Sequence, residues 1–198
     1  MTAIAGVEHK GNVWIGGDSA LTDVYSDGIR IQQSTAPKVW VCGEFLFGDC
    51  GSVRQGQLIK HVFQPPQIPD DVENDDPSME RYLTDEFLHA LRGVLEVGGS
   101  LHSKNGVETG FGCLLIGVRG MLWRLEEDWG FYRSTLGYHA VGCGTDFALG
   151  SLHATQTTKM RPEQRVRAAL EAASQWSGAV SPPYTILCTD GEEYVCSE

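Results

Sequence analysis

The sequence predicts an α+β fold: a four-layer α-β-β-α sandwich of two antiparallel sheets, formed by residues 1–198 as one domain. Three observations carry that expectation. Short apolar runs pair across tight-turn signals, which is the pattern of β-hairpins. Longer segments repeat apolar residues at three- and four-residue intervals, which gives a helix one buried stripe. Along the chain the order is strands, two helices, strands, two helices, strands. Two sheets face to face with helices outside would bury every stripe.

The first hairpin joins residues 3–7 to 13–15 across Lys10-Gly11-Asn12, and Gly16-Gly17-Asp18 ends its second strand. Such a return places Asp18 near Thr2. Residues 20–25 and 29–32 are strand-like, joined at Ser26-Asp27-Gly28. A second hairpin runs through residues 38–42 and 45–48 across Gly43-Glu44. Asp49-Cys50-Gly51-Ser52 then opens a helix over 52–63, with Val53, Leu58, Ile59 and Val62 for its apolar face.

Residues 64–78 contain four prolines and a cluster of acids, the composition of a solvated loop. Met79, Leu83, Phe87, Leu91 and Val94 mark a helix over 79–97, ended by Gly98-Gly99-Ser100. Strands follow at 111–118 and 121–125 around Arg119-Gly120, then at 131–134 and 139–141. Gly142-Cys143-Gly144-Thr145 leads into a helix at 146–157. A further helix starts at Pro162, with Glu163 near its positive end. Val166, Ala169, Leu170, Ala173 and Trp176 form its stripe, and Ser177-Gly178 ends it. Residues 184–188 and 194–196 close the chain as a hairpin.

The chain has 198 residues, enough for one full core, and its 41% hydrophobic and 21% charged content is that of a globular protein. No apolar run approaches the roughly 20 residues of a membrane span, and no secretory signal is evident. A net charge of −11 argues against nucleic acid and anionic membrane as partners. The six cysteines form no C-x-x-C pair and no metal-ligand spacing, so no metal or cofactor is expected. Reduced thiols imply a cytoplasmic protein.

Thr2 carries two readings. It opens an edge strand; or, once Met1 is removed, it holds a hydroxyl and a free α-amine on one residue. Such an amine has a pKa of about 7.7–8.0, so it can take the hydroxyl proton near neutrality.

Residues 2–18, closed by Gly17-Asp18-Ser19, resemble the start of the proteasome β-type subunits and the HslV peptidase ring, a family of N-terminal-nucleophile (Ntn) hydrolases. The order of elements along the whole chain is similar to that family's as well. The resemblance implies that Thr2 is the nucleophile and Asp18 its support. It also implies that Lys38, in Ala36-Pro37-Lys38-Val39, stands on a strand beside them. The family's first Lys of that element is Pro37 here. In Gly48-Asp49-Cys50-Gly51-Ser52, Gly51 matches the glycine whose N–H receives the developing oxyanion. Asp49 matches the residue that shapes the pocket before the scissile bond, where an acid would favour a basic side chain. Leu21 and Trp40 complete the expected substrate-binding set.

Two departures stand out. Cys143 occupies the family's serine, and a thiol is a weaker donor than a hydroxyl. Ser181 keeps the end of the family's D-x-x-S element, but Gly178 replaces its aspartate. The resemblance implies a threonine endopeptidase acting on unfolded protein or peptide, in a homo-oligomeric ring of six or seven subunits fed by an ATPase unfoldase. Only Met1 precedes Thr2, so no long propeptide is expected. An inactive ring or scaffold subunit and an Ntn amidase for small amides remain open alternatives. Gly17-Asp18-Ser19-Ala20-Leu21 also matches the opening of GDSL esterases, but their late Asp-x-x-His is missing.

Overall fold

Apolar alternation and turn chemistry build most of the elements locally. The computed structural model describes residues 1–25, 28–110 and 112–196. In chain order the strands and helices begin with β1 (Ala3–His9), β2 (Asn12–Gly17), β3 (Ala20–Tyr25), β4 (Gly28–Gln33), β5 (Val39–Cys42) and β6 (Phe45–Cys50). Then come α1 (Val53–His61), α2 (Asp76–Tyr82), a π-helical turn (Leu83–Phe87) and α3 (Leu88–Val97). They are followed by β7 (His102–Lys104), β8 (Val107–Thr109), β9 (Cys113–Val118), β10 (Met121–Leu125), β11 (Phe131–Arg133) and β12 (Tyr138–Gly142). The chain closes with α4 (Thr145–Ala154), α5 (Pro162–Trp176), β13 (Tyr184–Cys188) and β14 (Glu193–Cys196). The expected turn residues Ser26 and Asp27, and Phe111 of an expected strand, lie outside the described residues.

One antiparallel sheet has the order β12-β1-β2-β13-β14, the other β11-β10-β9-β6-β5. Their facing sides enclose Ile4, Val13, Ile15, Val39, Leu46, Leu115, Leu122 and Val141. Helices α1 to α3 cover the second sheet over an aromatic-rich core, where Phe63 meets Phe87 edge to face at 5.2 Å. Helices α4 and α5 cover the first sheet through Ala148, Leu152, Val166, Ala169, Leu170 and Ala173. The expected four-layer α-β-β-α sandwich is therefore the observed one. Lys10 and Gly11 both have positive φ, 49° and 80°, so the first hairpin turns in two residues. Its strands thus leave in register, with Ile4 opposite Gly17.

Several expectations change. The helix expected at 79–97 starts earlier, because Asp75 caps it by accepting from the Ser78 N–H at 2.8 Å, with Pro77 in the first turn. It also widens into the π-turn at Leu83–Phe87, which keeps Leu83 and Phe87 on the buried face. Val53 of α1, Val62 just after it and Trp176 of α5 were expected to be buried but are exposed, while Leu58, Ile59 and Ala173 of the same expected stripes are buried. The β7–β8 hairpin was not anticipated, its strands being three residues each and mostly polar. Lys38 precedes β5 rather than lying on a strand.

Candidate active site

The end of β2 fixes the site. Asp18 follows Gly16-Gly17, and its N–H donates to the Ala3 carbonyl at 3.2 Å, extending the β1–β2 ladder by one residue. Its carboxylate, fully shielded from solvent, accepts from the Ala3 N–H at 3.0 Å and the Ala20 N–H at 2.9 Å. The Lys38 ammonium donates to the same carboxylate at 2.8 Å, so three donors pin it. A buried charge is tolerated when it is paired and hydrogen-bonded in this way.

Lys38 Nζ also donates to Thr2 Oγ1 at 3.0 Å. Although Lys38 is not on a strand, its carbonyl accepts from the Asp49 N–H at 2.9 Å, which continues the β5–β6 pairing and supplies the support. Thr2 is 7% exposed, and its hydroxyl donates to the Met1 carbonyl at 2.7 Å. Thr2, Asp18 and Lys38, far apart in sequence, are thus joined in one chain of hydrogen bonds. An ammonium against the hydroxyl favours its deprotonated form electrostatically.

Behind Thr2 the backbone is crowded. Gly142 has φ of 100°, and a Cβ on it would fall 2.1 Å from the Thr2 carbonyl oxygen. That oxygen is the acceptor for the Gly144 N–H and for the Cys143 thiol, both at 3.4 Å. Cys143 is exposed, and its Sγ also lies 3.5 Å from Ser177 Oγ. The Ser181 carbonyl accepts from the Ser19 N–H at 3.1 Å, but its enclosed hydroxyl has no hydrogen-bond partner among the described residues. Ser181 therefore meets the site through its backbone.

In front of Thr2 lies a cavity of about 280 Å³. Lys38, Gly51 and the three expected substrate-binding residues, Leu21, Trp40 and Asp49, line it. Gly51 precedes the α1 cap, where Ser52 Oγ accepts from the Gln55 N–H at 3.3 Å. Sequence reasoning missed Gln57, Lys60 and His61 of α1, which line the cavity together with Val53. Their spacing of three and four places them on one helix face, and this cavity is why Val53 is not packed away. Trp40 stacks on Phe47 at 5.6 Å, and Lys60 Nζ sits 5.8 Å over its ring. Burial lowers the Lys60 pKa.

Asp49 is the unusual group. Its Oδ1 is enclosed and has no hydrogen-bond partner among the described residues. Burial pushes its pKa up to about 7, against a smaller downward pull from Lys38. Burial likewise pushes the neighbouring Cys50 thiol up to about 12, which makes it a poor nucleophile. No cluster of His, Cys, Asp and Glu that could hold a metal ion occurs among the described residues. None of the described helices is long and apolar enough to cross a membrane.

No protein-family model and no curated protein sequence matches the chain. Solved structures do. The Thiobacillus denitrificans BPH in complex with epoxomicin is 18% identical, with 100% of each chain covered and a TM-score of 0.74. Eukaryotic HslV from Trypanosoma brucei is 14% identical over 94% of this chain and 98% of its own, with a TM-score of 0.64. Anbu (ancestral beta-subunit) from Yersinia bercovieri is 14% identical over 100% of this chain and 88% of its own, with a TM-score of 0.66. The chain has the proteasome-type Ntn-hydrolase fold.

Proposed function

We propose that the chain is an N-terminal threonine endopeptidase, with Thr2 as nucleophile once Met1 has been removed. The observation that carries this reading is the partly buried Asp18–Lys38–Thr2 chain, at 2.8 and 3.0 Å. Removal of Met1 frees the Thr2 α-amine. Thr2 Oγ1 then attacks the substrate carbonyl carbon and passes its proton to that amine. Lys38 stays charged and stabilises the negative character at Oγ1, while Asp18 fixes the lysine. The oxyanion is received at the N–H of Gly51. Collapse breaks the C–N bond, and the leaving amine takes the proton held by the α-amine. Water then attacks the Thr2 ester, releasing the acid and restoring the hydroxyl.

The proposal extends to a closed homo-oligomeric ring of six or seven subunits, with an ATPase unfoldase presenting unfolded protein. A second reading, an inactive ring or scaffold subunit, is favoured by the unpartnered Ser181 hydroxyl and by Gly178 in place of an aspartate.

Intact mass before and after exposure to epoxomicin separates the two. The peptidase reading expects a chain lacking Met1 and one adduct, mapped to Thr2 and lost in Thr2→Ala. Retained Met1 in the purified protein, with no adduct, leaves the scaffold reading.

A further inference from the structure

Two thiols that the proposed mechanism does not use face each other behind Thr2. Cys50 ends β6, Cys113 begins β9, and the register sets them directly opposite. The Asp49 N–H points to the Lys38 carbonyl, so by alternation the Cys50 N–H and C=O face β9. That is the closely hydrogen-bonded kind of antiparallel pair, with Cα atoms about 5.5 Å apart. A disulfide spans Cα separations of roughly 4.4–6.8 Å, so the backbone already stands where a bridge needs it. Both side chains pack against the apolar layer between the sheets, and both are half-buried free thiols. Cys42, Cys188 and Cys196 instead stand opposite Phe45, Trp14 and Tyr184. Cys50 directly precedes Gly51, and a Cβ on Gly142, the glycine beneath the Thr2 carbonyl, would lie 3.2 Å from its Sγ. Gly112 clamps the same backbone: a Cβ there would fall 1.9 Å from the Cys50 carbonyl oxygen and 2.6 Å from Gly51 Cα. A movement of Cys50 against Cys113 therefore reaches both sides of Thr2.

We propose that Cys50 and Cys113 form a cross-strand disulfide, made by exchange with a small disulfide such as oxidised glutathione, and that this bridge switches the Thr2 site off. The Cys113 thiolate attacks one sulfur of the glutathione disulfide, whose S–S bond breaks and releases one glutathione thiolate. The Cys50 thiolate then attacks the Cys113 sulfur of the mixed disulfide and expels the second. The two cysteines lose two electrons and two protons, and the two glutathiones take up both. Burial, the main cause in each case, pushes the Cys113 thiol up to about 11 and the Cys50 thiol up to about 12, and rate and equilibrium respond in opposite senses. Few thiolates exist near neutrality, so the exchange is slow. Neither reduced thiol gains from a stabilised thiolate, so the bridge holds once made. Closure draws Cβ atoms from roughly 4.5–5.5 Å to about 3.8 Å, which pulls the end of β6 toward β9 by about 1 Å. Gly51 follows, and a displacement of that size in a catalytic group costs up to about a hundredfold in rate. The loss of turnover rests on the peptidase reading above; the bridge itself does not.

The test equilibrates the wild-type chain, Cys50→Ser and Cys113→Ser with oxidised glutathione at about pH 8.5, where exchange is faster. Free thiols are then alkylated and the chains digested without reduction. The expected product is a Cys50 peptide linked to a Cys113 peptide, present in wild type alone and undone by dithiothreitol. The oxidised wild type unfolds at a higher urea concentration than the reduced one, because the bridge restricts the unfolded chain. With acetyl-Ala-Ala-Leu-aminomethylcoumarin as substrate, oxidation lowers kcat at least about tenfold with little change in KM, and neither serine variant responds. A linked and stabilised chain that cleaves nothing even when reduced supports the bridge and removes the peptidase reading. Glutathione left as an adduct on Cys113, or a link through another cysteine, overturns the bridge. A linked chain with unchanged kcat, or a loss of turnover that persists in Cys113→Ser, overturns the switch and leaves the peptidase reading standing.

Discussion

Lys38 holds two partners at once, and they differ in what its loss does. Toward Thr2 it donates a hydrogen bond at 3.0 Å, which in the proposed mechanism supplies the field that activates the hydroxyl. Toward Asp18 it neutralises a carboxylate with no solvent exposure. Lys38→Ala is expected to lower kcat at least about a hundredfold, because the nucleophile loses its activating charge. It also leaves Asp18 charged and held only by the Ala3 and Ala20 N–H groups, so stability falls by about 3 kcal/mol. Steady-state kinetics and urea titration check the two effects separately; wild-type kcat in a folded Lys38→Ala would remove Lys38 from the mechanism. Asp49 acts on stability with the opposite sign. Its folded pKa of about 7 stands above the unfolded value near 3.8, so the folded chain binds the extra proton between those values. Stability at this site is therefore greatest at low pH and declines as pH climbs through that window. Asp49→Asn is expected to raise Tm at pH 8 relative to wild type and to change it little at pH 4, measured by calorimetry. An equal shift at both pH values would rule out the raised carboxyl.

Among the elements, the β12–α4 junction and helix α1 form the site's two walls. The junction works because Gly142 leaves the space that Thr2 fills. Gly142→Ala forces a left-handed φ on an alanine and pushes a methyl into the Thr2 carbonyl. A loss of about 2–3 kcal/mol is expected, with kcat falling more than KM rises, because the strain displaces the nucleophile rather than the cavity. Unchanged kcat together with lowered stability would show that Thr2 tolerates the shift. Much of this level was legible in the residues themselves. Gly17-Asp18-Ser19 and Ala36-Pro37-Lys38 located the carboxylate and ammonium, and alternation located the hairpins. The cavity face of α1 was not legible: Gln57, Lys60 and His61 look like any solvated helix face until a neighbouring strand encloses them. The β7–β8 hairpin was missed although Asn105-Gly106 is a strong turn signal, since its strands lack apolar alternation.

For the whole molecule, two sheets enclosing one apolar layer give a rigid frame on which three distant segments converge. The proposed ring is tested by native mass spectrometry of the purified protein: a single six- or seven-fold species is expected, and a monomer at micromolar concentration would refute it. Sequence alone determined the layer order and the chemical types at the site, because hydrophobic periodicity, turn residues and short motifs are local properties of the chain. It could not determine that the Ser181 hydroxyl and Asp49 Oδ1 are enclosed without a hydrogen-bond partner among the described residues, or that Trp176 faces solvent. Those depend on which surfaces meet after folding, and burial, which shifts a carboxyl from about 3.8 to about 7, is a property of the packed neighbours and not of the residue.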